Sequence, residues 1–485
     1  MRVFLLIRSL LVLWLVGCLF NAQVLAQGLP ELGDPAQSGF TPAQEKQLGK
    51  LIMREMRQDP DFYDDVEVTD YVSQLGKRLS AQVSGLSRAF DFFMVRDNQI
   101  NAFALPGGHV GVNAGLLLAA QSESEVAGVL GHEISHVTQH HISRMVTMDK
   151  STQWVSIAAL AIALLAARTN PQLAQASATV GPALVKQQQL NYSRDYEREA
   201  DRMGLQLIVK GGFDPQGMVT FFQRLERATR IYEKGAPSYL RSHPLTLDRI
   251  ADMQNRIQDY PYRQVADQIE FHLVRAKLKA ELENPREVIR YYQQSLEDKR
   301  YLSEAGVRYG LSLALLRTRE FSAAKREFAA LQQLVKSNAM VESLGCRIKL
   351  EAQDQDVMNC FRSGLKSFPH YRGLFYAFIE ALLRNRQPDA VLQLVQERLL
   401  LNPDDYHLYQ FQAEAYALSH RTFFQHKALA EAYVRLDNLP GAIDQLQIGI
   451  KAADGDYYQL SAAEARLRDL LIQDSERRKE EKENR

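Results

Sequence analysis

The sequence predicts a mainly α-helical protein in which helices around a small antiparallel sheet are followed by an α-solenoid of tetratricopeptide repeats. Two observations predict this fold class. Short aromatic and branched runs suited to strands are confined to residues 90–112, where Asp97-Asn98 and Gly107-Gly108 provide turn residues. From about residue 266 no strand-like segment is evident, and Ala and Leu recur with a period near 34 residues, which is typical of paired antiparallel helices.

Composition and charge narrow the class of protein. The chain has 485 residues, of which 46% are hydrophobic and 24% charged, so it is long enough for two or three globular domains and is neither disordered nor fibrous. Its 58 basic and 58 acidic residues give a net charge of zero. No basic excess is available to bind a phosphate backbone, so no nucleic-acid partner is expected.

The first 26 residues have the pattern of an export signal. Arg2 and Arg8 flank the start, an apolar stretch follows, and Ala26 ends a small-residue cleavage site, so the mature chain would begin near Gln27. Residues 15–18 also match a bacterial lipobox, in which Cys18 would be lipidated. Both alternatives predict export from the cytoplasm, with the periplasm as the expected location and a lipoprotein as the alternative.

Helix and strand signals organise the first half of the chain. Thr41 and Pro42 predict a helix start, and a second helix is expected over residues 70–84. Residues 122–125 form a capping-box pattern that predicts the start of another helix. A further helix over residues 191–210 should end at Gly211-Gly212. The apolar run at 154–167 has 14 residues, fewer than the ~20 needed to span a bilayer, so it predicts either a buried helix or a flap against a membrane or cleft.

The repeat region has two further features. Cys346 and Cys360 should lie on the two helices of one pair, where they either form a disulfide or serve as small buried apolar residues. Residues from Ser475 to the C-terminus are almost all charged and are expected to fray in solvent. A helical domain without repeats is the alternative to the solenoid.

Residues 131–141, GHEISHVTQHH, contain the chemistry-bearing motif. On a helix, His132 and His136 are four residues apart and present both imidazoles on one face, which is the HExxH spacing of zinc hydrolases. Glu133 is placed to take a proton from the attacking water. His140 and His141 are expected to be bystanders, because eight helical residues advance ~12 Å whereas two ligands must lie within ~2.1 Å of one ion.

A third ligand must come from elsewhere in the chain. Glu197 and Asp201 are also four residues apart, so one could bind the ion while the other accepts a hydrogen bond from a ligand imidazole. Glu199 should point to the opposite side of the same helix. A solvated charged helix face is the alternative interpretation.

These motifs together resemble the zinc metallopeptidase family of the prenyl-protein protease and the heat-shock protease HtpX. The resemblance rests on HExxH at 132–136, Glu197 with Asp201, His243-Pro244 and the Arg249-Ile250 pair. It implies a zincin-type domain over residues 27–265, one Zn²⁺ held by His132, His136 and Glu197, and Glu133 as catalytic acid and base. Asp201 would then support a ligand imidazole. Residues 266–475 would form the repeat domain and 476–485 a charged tail.

The resemblance also implies how a substrate would bind and where it would come from. Residues 100–104 look like the family's edge strand, so Asn101, Ala102 and Phe103 are expected to pair with an extended peptide. The implied role is quality control of outer-membrane proteins, with unfolded or misassembled clients at the cleft. The repeats would contact the β-barrel assembly machinery, and residues 154–167 would provide any peripheral membrane contact.

Two questions stay open at the level of sequence. His243 could stabilise the oxyanion, occupy the fourth zinc position and keep the enzyme off, or simply pack or cap a helix. The rival to a protease is a tetratricopeptide chaperone or adaptor whose zinc site is structural or idle. The presence of Glu133 beside the ligands favours catalysis, because a structural site has no use for a base.

Overall fold

A computed structural model describes residues 41–83, 89–148, 194–231, 238–261, 263–452 and 454–483. The predicted signal segment with Cys18 and the apolar run at 154–167 lie outside these residues. Within them, no helix is both long enough and apolar enough to cross a membrane.

The N-terminal part combines helices with one four-stranded sheet. In chain order, its described elements are α1 (Pro42–Met56), β1 (Phe62–Tyr63), α2 (Val66–Ser80), β2 (Asp91–Val95), β3 (Ala102–Leu105), β4 (His109–Asn113), α3 (Ala114–Ala119), α4 (Glu123–Thr138), α5 (His141–Met148), α6 (Arg194–Lys210), α7 (Gln216–Ile231), α8 (Ser238–Ser242) and α9 (Leu247–Ile257).

The sheet is mixed rather than antiparallel, so that part of the predicted fold class is corrected. Its strand order is β1-β2-β4-β3, in which β2 and β4 run parallel and the other two pairs are antiparallel. After β2 the chain forms β3 at the edge of the sheet. It then turns back through Gly107 and Gly108, which both have positive φ, and forms β4 between β2 and β3. As a result, β3 is an edge strand.

Most predicted helix starts are confirmed. Thr41 caps α1 through a complete capping box with Gln44. The second helix begins at Val66, four residues earlier than predicted, because Asp65 accepts a hydrogen bond from the Val68 amide. Ser122 caps α4. Only half of the predicted box forms there, since the Glu125 carboxylate accepts from Gln121 and binds Arg224 instead.

The C-terminal part is an array of antiparallel helix pairs, as predicted. In the described residues six pairs follow one another: α10 (Ile269–Leu282) and α11 (Pro285–Glu297), α12 (Glu304–Arg317) and α13 (Phe321–Leu334), α14 (Ala339–Glu351) and α15 (Val357–Ser367), α16 (Arg372–Arg384) and α17 (Pro388–Leu401), α18 (Tyr406–Leu418) and α19 (Thr422–Arg435), α20 (Leu439–Ile450) and α21 (Tyr457–Glu483).

Backbone geometry repeats with the same period. A non-glycine residue with positive φ lies between the two helices of four successive pairs, and these residues are 33 or 34 positions apart: Arg319, Gln353, Arg386 and His420. Cys346 and Cys360 form a disulfide between α14 and α15. The expectation of a frayed tail from Ser475 is wrong, because α21 continues to Glu483.

The two parts of the molecule meet at the start of α2. Lys277 of α10 is buried, and its ammonium lies 2.7 Å from a carboxylate oxygen of Asp65 and 2.6 Å from one of Glu67. Burial lowers the pKa of Lys277, but the two carboxylates more than offset this and hold it well above its usual range. The ammonium is therefore charged and fully engaged in the interface.

More distant repeats contact the same short segment. Arg372 at the start of α16 binds Asp70 at 2.6 Å, and His407 of α18 lies 3.1 Å from Asp64. The first, fourth and fifth helix pairs thus all reach residues 64–70. An array can do this only by curving around α2, so part of its concave side is occupied by the N-terminal part of the chain.

Substituting Lys277 should show how strongly this interface stabilises the protein. We expect Lys277→Met to lower the free energy of unfolding by about 3–5 kcal/mol, because it leaves the Asp65 and Glu67 carboxylates without their cation. The measurement is urea unfolding followed by circular dichroism. Lys279→Met is the matched control: Lys279 is more exposed and pairs with Glu283 one turn away, so the expected loss is at most about 1 kcal/mol. Equal losses in both variants would contradict the assignment.

Candidate metal centre

The α4 helix carries His132, Glu133 and His136, and all three side chains are buried. It packs against α6, α7, α2 and β3. The crossing with α6 is close because glycines meet there: a Cβ on Gly204 would lie 3.1 Å from the His132 amide nitrogen and 3.2 Å from the Gly131 carbonyl carbon. This approach brings the start of α6, with Glu197, to the histidine face of α4.

Four side chains converge on one point between the helices. They are His132, His136, Glu197 and His243, each buried and each offering one donor atom. The His132 and His136 Nε2 atoms are 3.0 Å apart. Glu197 carboxylate oxygens lie 3.4 Å from His132 Nε2 and 3.5 Å from His136 Nε2. His243 Nδ1 lies 3.3 Å from His132 Nε2 and 3.0 Å from Glu197 Oε1.

These separations suit a single metal ion. Bonds of ~2.0–2.1 Å to a tetrahedral ion place neighbouring donors about 3.3–3.4 Å apart; the pairs given above are 3.0–3.5 Å apart, and all four donor atoms lie within 4.8 Å of one another. Three imidazoles and one carboxylate form a donor set that suits zinc. The residues present therefore fit the metal that the sequence predicts.

Charge in the cluster also favours a cation. Burial raises the pKa of Glu197, but His243 and His132 more than offset this and hold it well below its usual range, so the carboxylate is ionised. Burial and the neighbouring His132 hold the pKa of His136 well below its usual range, which keeps a lone pair available. For His132, burial lowers the pKa but Asp201 and Glu197 raise it to about 9, and a metal ion would displace that proton.

Glu133 lies beside the four donors and is poised as a base. Both of its carboxylate oxygens are buried, and it has a backbone hydrogen bond with Ala104 of β3. The His243 imidazole lies next to it, with Nε2 3.5 Å from Glu133 Oε1. Burial raises the pKa of Glu133, so its carboxylate holds a proton more strongly than an exposed glutamate does.

Asp201 and Arg249 support the histidine side of the centre. Asp201 Oδ1 lies 3.0 Å from His132 Nδ1, on the side of the ring away from the donor cluster. Arg249 binds Asp201 through two nitrogens at 2.8 Å each and Glu197 through a third at 2.7 Å. Although burial raises the pKa of Asp201, Arg249 and His132 lower it below its usual range. The carboxylate stays ionised and fixes the orientation of His132.

His243 reaches the cluster from α8, a short helix anchored beside the edge strand. The Tyr239 amide and the Ser238 hydroxyl both donate hydrogen bonds to the Ile100 carbonyl, which lies just before β3. The Tyr239 ring stacks on His243 with centroids 4.8 Å apart. Movement of α8 would therefore change both the edge of the sheet and the position of His243.

Comparison with known proteins agrees with this geometry. Residues 67–257, which contain all four donors and Glu133, match the family described as "Peptidase family M48". The chain contains an M48 peptidase domain. It is a metalloprotease, and the family implies a metal at the cluster of His132, His136, Glu197 and His243.

Two relatives extend the likeness beyond the M48 domain. A "Putative beta-barrel assembly-enhancing protease" of Vibrio cholerae is 37% identical over 310 residues, which cover 64% of this chain and 63% of that protein. The "Beta-barrel assembly-enhancing protease" of Escherichia coli K12 is 29% identical over 460 residues, 93% of each chain. A solved tetratricopeptide domain of P58(IPK) covers 73% of this chain and 99% of its own, but its TM-score of 0.16 at 14% identity carries no argument.

The predicted substrate strand lies at the edge of the M48 domain's sheet. Ala102 and Phe103 belong to β3, which pairs only with β4 in the described residues, and Asn101 directly precedes it. The α4 helix packs against β3. An open strand edge and the base Glu133 are thus neighbours.

Two contacts of the M48 domain were not predicted from sequence. His141 is not among the four donors, as predicted, but it contacts one of them: α4 ends at Thr138, the next turn takes His140 into positive φ, and the chain brings the buried His141 Nδ1 to 2.8 Å from His136 Nδ1. Glu199, expected to face away, lies 3.2 Å from His141 Nε2. The axial-distance argument assumed one continuous helix, and no periodic signal marks the turn. His140 is exposed, as expected of a bystander.

Arg249 and Tyr239 are two further residues of the site whose positions were not predicted from the sequence. Two buried carboxylates one helical turn apart, Glu197 and Asp201, require a nearby cation, so the sequence predicts that some basic residue binds them. Which of the many arginines does so can be seen only in the folded structure. Tyr239 is buried, and its hydroxyl has no hydrogen-bond partner among the described residues. Nothing in its sequence context predicts that position.

Proposed function

We propose that this metalloprotease is a zinc-dependent endopeptidase of the periplasm that degrades misassembled outer-membrane β-barrel proteins and assists their assembly. The observation that carries the catalytic part is the cluster of four metal donors with the buried carboxylate of Glu133 beside it. The substrate class is supported by the names of the two relatives. A lipoprotein anchored through Cys18 is the alternative location.

In the proposed reaction the chain's own groups bind the peptide and move a proton. An extended client would add as a strand along β3, beside Asn101, Ala102 and Phe103, through main-chain hydrogen bonds. Bound zinc would supply Lewis-acid stabilisation of the developing negative charge. Glu133 takes the proton of the attacking water and hands it to the leaving amine, a role that suits a carboxylate whose pKa is raised by burial.

His132, His136 and Glu197 are proposed as the permanent zinc ligands, and His243 as a removable fourth. Support for the removable role comes from two contacts. His243 is one of the four donors, and the helix that directly precedes it, α8, is hydrogen-bonded to Ile100 just before the proposed substrate strand. A client pairing with β3 would compete for the region that holds α8. His243 would then leave the donor set only when a client is present.

We propose residues 27–265 as the catalytic unit, 266–475 as the repeat unit and 476–485 as a charged tail. The repeat unit would contact clients and the β-barrel assembly machinery. Because residues 64–70 already occupy part of its concave side, we expect partners to use the remaining surface. Peripheral membrane contact through residues 154–167 belongs to the same proposal.

A non-proteolytic adaptor with a structural zinc site is the second candidate, and one observation favours it. A cluster of four protein donors is what a structural site would have, with no position left for water. The two candidates differ in what they require of Glu133, which is close to the metal cluster but is not one of its donors.

We expect Glu133→Gln to lower hydrolysis of an unfolded outer-membrane protein by at least about 10²-fold, because general acid and base catalysis contributes about 10²–10⁴-fold. Zinc content should stay at one ion per chain, since the four donors are unchanged. Peptide release and metal analysis on the same samples provide the two measurements. If wild type and variant were equally inert with full zinc, the adaptor would be the better account.

We expect His243→Ala to raise basal proteolysis. If the open state is 0.1–10% populated in the wild type, freeing the fourth position should increase the rate about 10- to 1,000-fold. A role in stabilising the oxyanion predicts the opposite, a loss of about 10²–10³-fold. The test is hydrolysis of a casein substrate, with His140→Asn as the control because His140 is exposed and outside the cluster. A loss of activity in His243→Ala would contradict the switch.

A further inference from the structure

His141 occupies the outer side of one zinc-ligand ring. It is fully buried, and its Nδ1 lies 2.8 Å from Nδ1 of His136, whereas His136 Nε2 faces the donor cluster. The His141 ring stacks on Tyr196 of α6, with centroids 4.7 Å apart and planes 17° from parallel. The stacking on Tyr196 therefore fixes the orientation of the His141 ring, in addition to its distance from His136.

A charged pair stands behind His141. Its Nε2 is 3.2 Å from Glu199 Oε2, and the same oxygen binds Arg144 at 3.0 Å. Arg144 also lies over the ring of Tyr196, 4.5 Å from its centroid. A continuous line of contacts thus runs from His136 through His141 and Glu199 to Arg144.

The direction of these hydrogen bonds follows from the Glu199 carboxylate, which contacts His141 Nε2. An ionised carboxylate can only accept, so His141 Nε2 must carry the hydrogen. In a neutral imidazole the other nitrogen is then an acceptor, so His141 Nδ1 accepts from His136 Nδ1–H. This arrangement leaves the lone pair of His136 on Nε2, directed at the cluster. Reversing either step would place two donors or two acceptors in contact.

We propose that His141 and Glu199 are positioning residues of the metal centre, which fix the tautomer and ring orientation of His136 and strengthen it as a zinc ligand. The inference rests on the proposed function, since it assumes that His136 binds zinc. The two histidine ligands would then be supported in parallel ways. His132 is backed directly by Asp201 and Arg249, while His136 is backed by Glu199 and Arg144 through the inserted ring of His141.

Zinc affinity of the full chain tests this proposal without relying on activity. The probe is Zn²⁺ itself, titrated in competition with a chromogenic chelator at constant pH. His141→Phe keeps a flat ring against Tyr196 but removes the acceptor, so affinity should fall about 10- to 100-fold. His141→Asn restores an acceptor near the Nδ1 position and should bind within about threefold of wild type. His140→Asn, the same change at the exposed neighbour, should have no effect.

Glu199→Ala is the second test, and it serves if His141→Phe does not fold. Glu199 is partly exposed, and its removal takes away the charge that holds the His141 tautomer, so zinc affinity should fall about tenfold. Unchanged affinity in a folded His141→Phe or in Glu199→Ala would overturn the proposal, as would equal losses in His141→Phe and His141→Asn. Wild type that binds no zinc would contradict the proposed function, and the positioning role with it. Zinc-binding wild type with unaffected variants would contradict the positioning role alone.

Discussion

The close crossing of α4 and α6 is the constraint on which the metal centre depends. Gly131 and Gly204 allow the two backbones to approach until a single added Cβ would press on the amide of His132. Only at that separation can a carboxylate from α6 reach both imidazoles of α4. Glu197 and Asp201 then face the same histidine, one toward the donor cluster and one behind the ring. The chemistry of the site is therefore set by backbone contact as much as by the ligands themselves.

Buried charge is organised around that crossing so that every ligand has a partner. Arg249 binds both Glu197 and Asp201, and together with the neighbouring histidines it keeps the two carboxylates ionised although they are buried. Glu133, which is not a ligand, is arranged differently: among the described residues no arginine or lysine forms an ion pair with it. A carboxylate held without such partners is poorly suited to a structural role and well suited to accepting a proton. The same low-dielectric surrounding that raises its pKa makes it an effective base.

The start of α2 serves both parts of the molecule. Residues 64–70 contribute four carboxylates to the contact with the repeats, and their partners Lys277, Arg372 and His407 come from three separate helix pairs. The N-terminal part is thus bound through one short segment to three helix pairs of the repeat array. Any partner of the repeats has to bind the surface that this contact leaves exposed. The way the two parts dock therefore determines which repeat surface a client can reach.

Helical periodicity made the central features predictable from sequence. His132, Glu133 and His136 follow from the 3.6-residue period, as does the pairing of Glu197 with Asp201, and the 34-residue period gave the repeat array. The features that could not be predicted from sequence are those in which the chain departs from regular helical periodicity or from pairing between neighbouring strands. His141 reaches His136 through a residue with positive φ, β4 pairs in parallel with β2, and Arg249 is selected only by the fold. Each of these depends on contacts between residues distant in sequence or on a single turn.

A zinc-edge anomalous diffraction map from crystals of the wild-type protein with one equivalent of zinc tests the central claim most directly. The account predicts a single peak, bonded at ~2.0–2.1 Å to Nε2 of His132, Nε2 of His136, a Glu197 oxygen and Nδ1 of His243. A peak elsewhere, or one that has Asp201 or His141 in place of any of these four donors, would contradict it.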